Sequence, residues 1–464
     1  MKNLIQSAVT NLRSLSPSQD YRAFTKLKKV KADKGETLIL SQRCEYDRRI
    51  YDFLTSANAV VDTTFNPESY KKTIYSVISS ASRIIPEEKK DSTRTMCVST
   101  PCLYGQIKTH KEGYPMRSVV ACYTSASYNL SKYLASFFRL HTSFSAVHSI
   151  KNSAHLAAEL NHMRFTADCR IVLFDVKSMF SEIPVAKAVD AMYEILVKSG
   201  ADFDTADEFE RLILACTSDN VCKFNSTTYR FPRGLPMGGP LSSLVSEVFM
   251  DRLERWALHQ WRNSNNILLW YRYVDDVFCI WRGSNQSLEA FKTTLHSFDP
   301  HIRFTTTDAG HRADYLDLTI SLACDDLNDG LLTPSFAVYR KPTFSGVSIH
   351  GNSWHPQTHK YAAVTSTVNR MLSLPLSRDA VELETLTIEK IAALNNLNID
   401  VRLHIKRKKL HTLLSETRSL PEFSAFCSSQ LNAPRPPPLS PPHREIWMRL
   451  PFLGRPTEML AKEL

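Results

Sequence analysis

The chain of 464 residues is long enough for two or three domains, each with a hydrophobic core of its own. Hydrophobic residues make up 43% and charged residues 22%, proportions typical of globular proteins rather than of disordered or fibrous ones. The 57 Lys and Arg residues exceed the 47 Asp and Glu residues, and the resulting net charge of +10 is compatible with a polyanionic partner.

The cysteine and hydropathy patterns exclude several classes of protein. None of the ten cysteines forms a Cys-x-x-Cys pair, so neither a zinc ribbon nor a thioredoxin-like site is indicated. No apolar run approaches the roughly 20 residues of a membrane-spanning helix, and the N-terminal MKNLIQSAVTNLRSL is too polar for a secretory signal. We therefore expect a soluble protein of a reducing intracellular compartment, with no membrane partner.

In chain order, the composition and the predicted secondary structure change several times. The N-terminal part is predicted to be mostly helical and contains the basic segment KLKKVKADKG (26–35). From about 95 to 325, short apolar strands alternate with amphipathic helices, which predicts an α+β core. Helical sequence returns from about 356 to 418, and APRPPPLSPPH (433–443) is a proline-rich spacer that cannot bury a core.

The central region contains the strongest individual predictions. IVLFDV (171–176) reads as a short apolar strand that ends on a carboxylate, and a helix is expected after Pro184. A second helix is expected after the turn GLPMGGP (234–240). ILLWYRYVDDVFCIW (267–281) predicts a hairpin of two apolar strands around a polar tip.

The polar tip carries Asp275 and Asp276 side by side. Adjacent carboxylates resist joint ionisation, so their placement between apolar strands is best explained by a divalent cation. Mg²⁺ prefers oxygen ligands of this kind and binds one or two carboxylates together with substrate phosphates. Asp175, at the end of its own apolar strand, completes a set of three carboxylates if the two strands share a sheet. Two Mg²⁺ ions held there would suit in-line phosphoryl transfer.

Two further segments fit such a reaction. The Gly/Pro turn of RGLPMGGPLSSLVSEVFM (233–250) opens a helix and allows a nucleotide to approach the backbone closely. Upstream, Lys108, Lys111 and Arg117 lie on a predicted β-hairpin around Gly113-Tyr114-Pro115, where cations can bind a triphosphate.

An ordered set of motifs resembles the reverse transcriptases of Penelope-like retroelements, over residues of about 30 to 375. The set consists of KADKG (31–35), LYGQIKTHKEGYPMRSVV (103–120), FDVKSMFSEIP (174–184), GLPMGGPLSSL (234–244), YRYVDD (271–276), DYLDLTI (314–320) and YRKPT (339–343), followed by SWHP (353–356) and NRML (369–372).

The resemblance implies a right-hand polymerase of the α+β class, with fingers, an antiparallel-sheet palm and a helical thumb. The regions expected from it are an N-terminal helical, basic region leading into the fingers (1–94), the fingers and palm (95–325), a helix-turn-helix-like thumb (326–432), the proline-rich linker (433–443) and a C-terminal stub (444–464). Members often end in a GIY-YIG endonuclease, and no such pattern occurs here. The stub resembles the segment that precedes this domain, so we expect a truncated sequence rather than a member that lacks the endonuclease.

The resemblance also implies individual roles. Asp175, Asp275 and Asp276 would be the catalytic metal ligands, joined by the backbone carbonyl of Val176. The residues implied to contact the incoming nucleotide are Lys108, Lys111, Arg117, Phe180, Met237 and Gly238, and those implied to form the primer grip are Tyr315, Leu316 and Asp317. Phe180 stands where reverse transcriptases place an aromatic ring against the sugar 2′ position, whereas RNA-directed RNA polymerases typically carry a carboxylate there.

The implied function is RNA-directed DNA synthesis for a retrotransposon, with two Mg²⁺ ions as cofactor and Mn²⁺ as an alternative. The implied partners are an RNA template, a DNA primer or target DNA, and deoxynucleoside triphosphates. The KRKK run (406–409) predicts a nuclear location, and otherwise a cytoplasmic one. Two other functions stay open: an RNA-directed RNA polymerase, and a domesticated nucleic-acid-binding protein without catalysis.

Overall fold

The computed structural model describes residues 27–33, 38–109, 112–218, 220–261, 264–324 and 330–418. The described residues form two compact units. The first extends to Pro334 and includes Tyr339–Phe344, and the second comprises Ser335–Val338 and the residues from Ser345 onward. The predicted linker (433–443) and C-terminal stub (444–464) lie outside the described residues, and the finer division into regions stays a prediction.

The first unit contains a four-stranded antiparallel sheet with the strand order β11-β6-β10-β9. Its strands are β6 Cys169–Val176, β9 Ile267–Tyr273, β10 Asp276–Arg282 and β11 Phe304–Gly310. The predicted apolar strand and the predicted hairpin are therefore confirmed. They are neighbours in the sheet, with β6 in an interior position.

A five-stranded sheet has the order β3-β8-β7-β4-β5. Its strands are β3 Val60–Val61, β4 Cys102–Ile107, β5 Met116–Ala121, β7 Val221–Phe224 and β8 Thr227–Arg230. Strands β4 and β5 pair antiparallel, which confirms the predicted basic hairpin. Two smaller antiparallel pairs are β1 Leu27–Lys31 with β2 Leu38–Gln42, and β12 Arg312–Tyr315 with β13 Leu318–Cys324.

Helices cover the four-stranded sheet and form the largest core with it. The helices of this unit are α1 Arg43–Ser56, α2 Pro67–Ser80, α3 Glu87–Thr93, α4 Tyr128–His141, α5 Ser153–Leu160, α6 Met179–Glu182, α7 Val185–Lys198, α8 Phe203–Thr217, α9 Ser242–Gln260 and α10 Asn285–Phe298. Helices α7 and α9 are those expected after Pro184 and after the Gly/Pro turn. Buried Phe174 and Cys279 of the sheet pack in one cluster with Val245 and Val248 of α9. This core fixes the strands that carry the candidate catalytic residues.

The pair β1-β2 was not expected within the N-terminal part, which was predicted to be mostly helical and contains α1, α2 and α3. In β1 and just after it, buried Val30 and Ala32 alternate with exposed Lys29 and Lys31. This two-residue period is that of a half-buried strand. The run of lysines conceals it, because only two apolar residues mark the inner face.

The second unit is helical after β14 Leu332–Val338, the strand in which the chain passes from one unit to the other. Its helices are α11 Gln357–Leu372, α12 Arg378–Leu394 and α13 Val401–Arg418, as expected for 356–418. Buried Val364, Val368, Ile388 and Val401 form its core. Among the described residues, no helix is both long and apolar enough to cross a membrane.

Candidate active site

The three candidate catalytic aspartates lie where β6 and the β9-β10 hairpin are side by side. Asp276, the first residue of β10, is directly opposite Asp175 of β6 on one side and Tyr273 of β9 on the other. Asp275 stands in the intervening turn, and its carbonyl accepts a hydrogen bond of 3.0 Å from the amide of Val176. The cross-strand register therefore brings together residues that are about a hundred positions apart in sequence.

The side chains differ in their exposure. Asp175 and Asp276 are exposed and Asp275 is half-buried, whereas Val176 is buried. The next residue of β10, Val277, is fully buried in the large core. The carboxylates thus lie at the edge of a packed apolar core. Because the core already holds the backbone, fixing the carboxylates there costs little further conformational entropy.

A cavity of about 400 Å³ lies in front of these carboxylates. The predicted site residues that line it are Lys108, Arg117, Asp175, Val176, Phe180, Met237, Asp275 and Asp276. One cavity therefore combines carboxylates, which can hold metal ions, with cations, which can bind phosphates, and also contains an aromatic ring.

The β4-β5 hairpin supplies the basic wall of the cavity. Beyond the paired strands, the amide of Lys108 donates to the carbonyl of Pro115 at 2.9 Å and so holds the hairpin closed. Arg117 lies 3.2 Å from the carboxylate of Asp33, which is 1% exposed in its side chain. This ion pair restricts the orientation of the Arg117 guanidinium. Lys111, also predicted to bind nucleotide, lies outside the described residues.

The Gly/Pro turn packs against both β5 and the segment after β6. The amide of Leu235 donates to the carbonyl of Phe180 at 2.6 Å, and the amide of Val120 donates to the carbonyl of Met237 at 2.9 Å. Gly238 has φ +121°, and a Cβ atom there would lie 2.4 Å from the carbonyl oxygen of Val120. Glycine at 238 is thus explained by this close approach, while Met237 beside it lines the cavity.

The predicted primer grip lies outside this cavity. Tyr315 ends β12, and Leu316 and Asp317 form the turn to β13, with Leu316 at φ +56°. The Tyr315 side chain is buried, and its hydroxyl donates to the carbonyl of Asp276 at 2.8 Å. Burial, with a further contribution from the Asp276 carboxylate, raises the pKa of Tyr315, so the phenol stays protonated and remains a donor.

Sequence reasoning missed three residues of this region. Asp33 lies in KADKG and Lys341 in YRKPT, two motifs used only for the resemblance, and Lys341 lines the cavity. Arg272, within the YRYVDD motif, is buried beneath the hairpin turn. The sequence showed only that each motif contains a charged residue. The role of that residue depends on contacts with residues far away in the sequence.

The fit of a divalent metal depends on the chemistry of the donors. Over the described parts of the chain, no three acidic, histidine or cysteine side chains already converge as an ion-binding cluster. The carboxylates of Asp175, Asp275 and Asp276 nevertheless border the same cavity. They are hard oxygen donors of the kind that Mg²⁺ takes in sites completed by substrate phosphates. The donor set therefore fits Mg²⁺.

Part of the chain matches a known protein family. Residues 110–301 match the family model described as "Reverse transcriptase (RNA-dependent DNA polymerase)". No curated protein sequence gives a significant match.

Two solved structures of telomerase resemble this chain to different degrees. Telomerase from Candida albicans, in complex with a fragment of telomeric RNA, is similar with a TM-score of 0.50 and 9% identity over 82% of this chain. The chain spans 65% of the length of that telomerase chain. Apo telomerase from Candida tropicalis is similar with a TM-score of 0.45 and 9% identity, covering 80% of this chain and 65% of its own.

The likeness to the Candida albicans enzyme supports the predicted α+β polymerase fold, with its antiparallel sheets and helices. The matched segment contains Asp175, Phe180, Met237, Asp275 and Asp276, which all line the cavity. The match over residues 110–301 therefore indicates an RNA-directed DNA polymerase, an enzyme of the nucleotidyltransferase class.

Proposed function

We propose that the whole chain is the RNA-directed DNA polymerase of a Penelope-like retrotransposon, and that it extends a DNA primer on an RNA template with deoxynucleoside triphosphates. The observation that carries this proposal is the register of β10 against β6. It puts Asp276 directly opposite Asp175 and places the Asp275 turn next to both, at a cavity that Lys108 and Arg117 also line.

Each side of the cavity has a distinct task in this reaction. Asp175, Asp275 and Asp276, with the carbonyl of Val176, would hold two Mg²⁺ or Mn²⁺ ions. When bound, such ions activate the primer 3′-hydroxyl and stabilise the charge on the phosphates. Arg117 and Lys108 would bind the triphosphate, with the guanidinium of Arg117 oriented by Asp33. The turn that holds Met237 and Gly238 would border the nucleotide, and the Tyr315-Leu316-Asp317 turn would support the primer terminus.

A primer-extension assay tests this function directly. We expect the purified chain to extend a DNA primer on an RNA template with deoxynucleoside triphosphates and Mg²⁺. Binding without extension would instead favour the domesticated nucleic-acid-binding protein, and preferential use of ribonucleotides would favour the RNA-directed RNA polymerase.

Phe180 is the residue that distinguishes the two polymerases. Its ring is partly buried against the large core and lines the cavity, and it offers no acceptor for a ribose 2′-hydroxyl. We predict that Phe180→Ala raises ribonucleotide incorporation relative to deoxynucleotide incorporation by roughly 10- to 100-fold, because steric rejection of one added group is worth about 1–3 kcal/mol. The measurement is the rate of single-nucleotide extension with a ribonucleoside triphosphate and with the matching deoxynucleoside triphosphate. An unchanged sugar preference would contradict this role.

We also propose a nuclear location. The supporting observation is the KRKK run (406–409) on α13, where Lys406, Arg407 and Lys409 are exposed. A fluorescently tagged chain is expected to accumulate in the nucleus and to lose this accumulation when the four residues become alanine. Retained accumulation would contradict the role of the run.

A further inference from the structure

The turn that carries Asp275 and Asp276 has an unfavourable backbone conformation. Val274 has φ +57°, in the left-handed region that β-branched residues rarely adopt. A conformation of this kind costs on the order of 1–3 kcal/mol and persists only where the surroundings impose it. Something other than local preference must therefore hold the turn.

Three successive carbonyl groups of the turn are each held by a hydrogen bond from outside it. The Val274 carbonyl accepts from Nη1 of Arg272 at 3.1 Å, the Asp275 carbonyl from the Val176 amide at 3.0 Å, and the Asp276 carbonyl from the Tyr315 hydroxyl at 2.8 Å. The second bond joins the turn to β6. The other two come from side chains that are themselves buried.

Arg272 is fixed by acidic partners. It is 1% exposed, its Nε donates to Glu254 at 2.8 Å, and its Nη1 donates to Glu247 at 3.2 Å. Glu254 is fully buried on α9 and also accepts from Nε1 of Trp270 at 3.0 Å. Helix α9 thus anchors the guanidinium, and the guanidinium anchors the turn. The planar, multidentate Arg group suits this task better than the ammonium of Lys.

Tyr315 holds the other end of the turn. Its ring packs 5.6 Å from that of Phe278, measured between centroids, and the side chain is 4% exposed. Its hydroxyl therefore points from a packed ring to a backbone carbonyl. Tyr315 therefore contacts the backbone of the turn rather than its carboxylates.

We propose that Arg272 and Tyr315 are positioning residues, which hold the Val274-Asp275-Asp276 backbone so that both carboxylates face Asp175 before metal and nucleotide arrive. The proposal rests on the proposed function of these carboxylates. Groups that orient metal ligands typically change metal affinity or activity by about 10- to 100-fold when removed.

The cleanest test is Tyr315→Phe, which removes only the hydroxyl. The matched control is Tyr133→Phe, because the Tyr133 hydroxyl likewise donates to a backbone carbonyl, that of Ile84, at 2.7 Å and away from the turn. We expect the Mg²⁺ concentration that gives half-maximal primer extension to rise by about tenfold in Tyr315→Phe and to stay unchanged in Tyr133→Phe. Arg272→Lys should show the same direction of change.

A second readout requires neither metal nor activity. In the metal-free protein, amide hydrogen exchange at residues 274–277 should be faster in Tyr315→Phe than in the wild type and in Tyr133→Phe. Equal exchange and equal Mg²⁺ dependence in the two Phe variants would overturn the proposal. A wild type that exchanges as expected but extends no primer would refute the proposed function and leave the positioning of the turn standing.

Discussion

Asp275→Asn is expected to reduce the rate of primer extension by a factor on the order of 10² to 10³ or more. The thermal unfolding midpoint is expected to change little. The amide has nearly the size of the carboxylate, so the half-buried turn position is kept. What disappears is the negative charge of a proposed metal ligand near Asp276 and Asp175, and with it much of the stabilisation that a bound cation would receive. The measurement is the rate of single-nucleotide extension at saturating Mg²⁺, alongside the thermal unfolding midpoint.

The control is a carboxylate of the same sheet that does not border the cavity. Asp308 of β11 forms a surface ion pair of 3.0 Å with Arg170 and is 41% exposed in its side chain. Asp308→Asn is expected to retain extension, because such exposed pairs contribute little. Full extension by Asp275→Asn, or equal loss in both variants, would contradict the assignment of Asp275 as a metal ligand.

Arg272→Met is expected to lower the free energy of unfolding by about 3–5 kcal/mol, the range observed when one partner of a buried ion pair is removed. Burial alone would favour a neutral side chain at 272, but Glu254 and Glu247 outweigh it and raise the pKa of Arg272. Without the guanidinium, the fully buried Glu254 loses its cationic partner while one of its oxygens already has no hydrogen-bond partner in the described structure. Chemical denaturation monitored by circular dichroism measures the change.

The double variant Arg272→Met/Glu254→Gln separates loss of the pair from loss of packing. It should recover part of the stability, because the uncompensated charge is then absent as well. The matched control is Arg402→Met, since Arg402 also binds two glutamates, Glu382 and Glu389, but at the surface of the second unit. We expect little change there. A stability loss in Arg402→Met as large as in Arg272→Met would contradict the importance of burial.

Local sequence patterns were sufficient for the elements that carry the site. The apolar run before Asp175 and the apolar-polar-apolar run around Asp275 predicted a strand and a hairpin, because strands buried on both faces are continuously apolar. Proline and glycine likewise marked the starts of α7 and α9. Where apolar positions were few, as in β1, the pattern failed to reveal the strand.

The pairing of distant residues was decided by the tertiary structure. No periodicity states that Asp276 lies opposite Asp175, that Asp33 orients Arg117 or that Tyr315 holds the Asp276 carbonyl. These contacts depend on strand register and on helix packing across the whole unit, which a local pattern does not contain. The sequence by itself therefore predicted the candidate residues for nucleotidyl transfer, through the order of its charged and turn motifs. Only the folded chain decided which of them line one cavity and which side chains hydrogen-bond to the turn beside it, because both depend on distances between segments far apart in the chain.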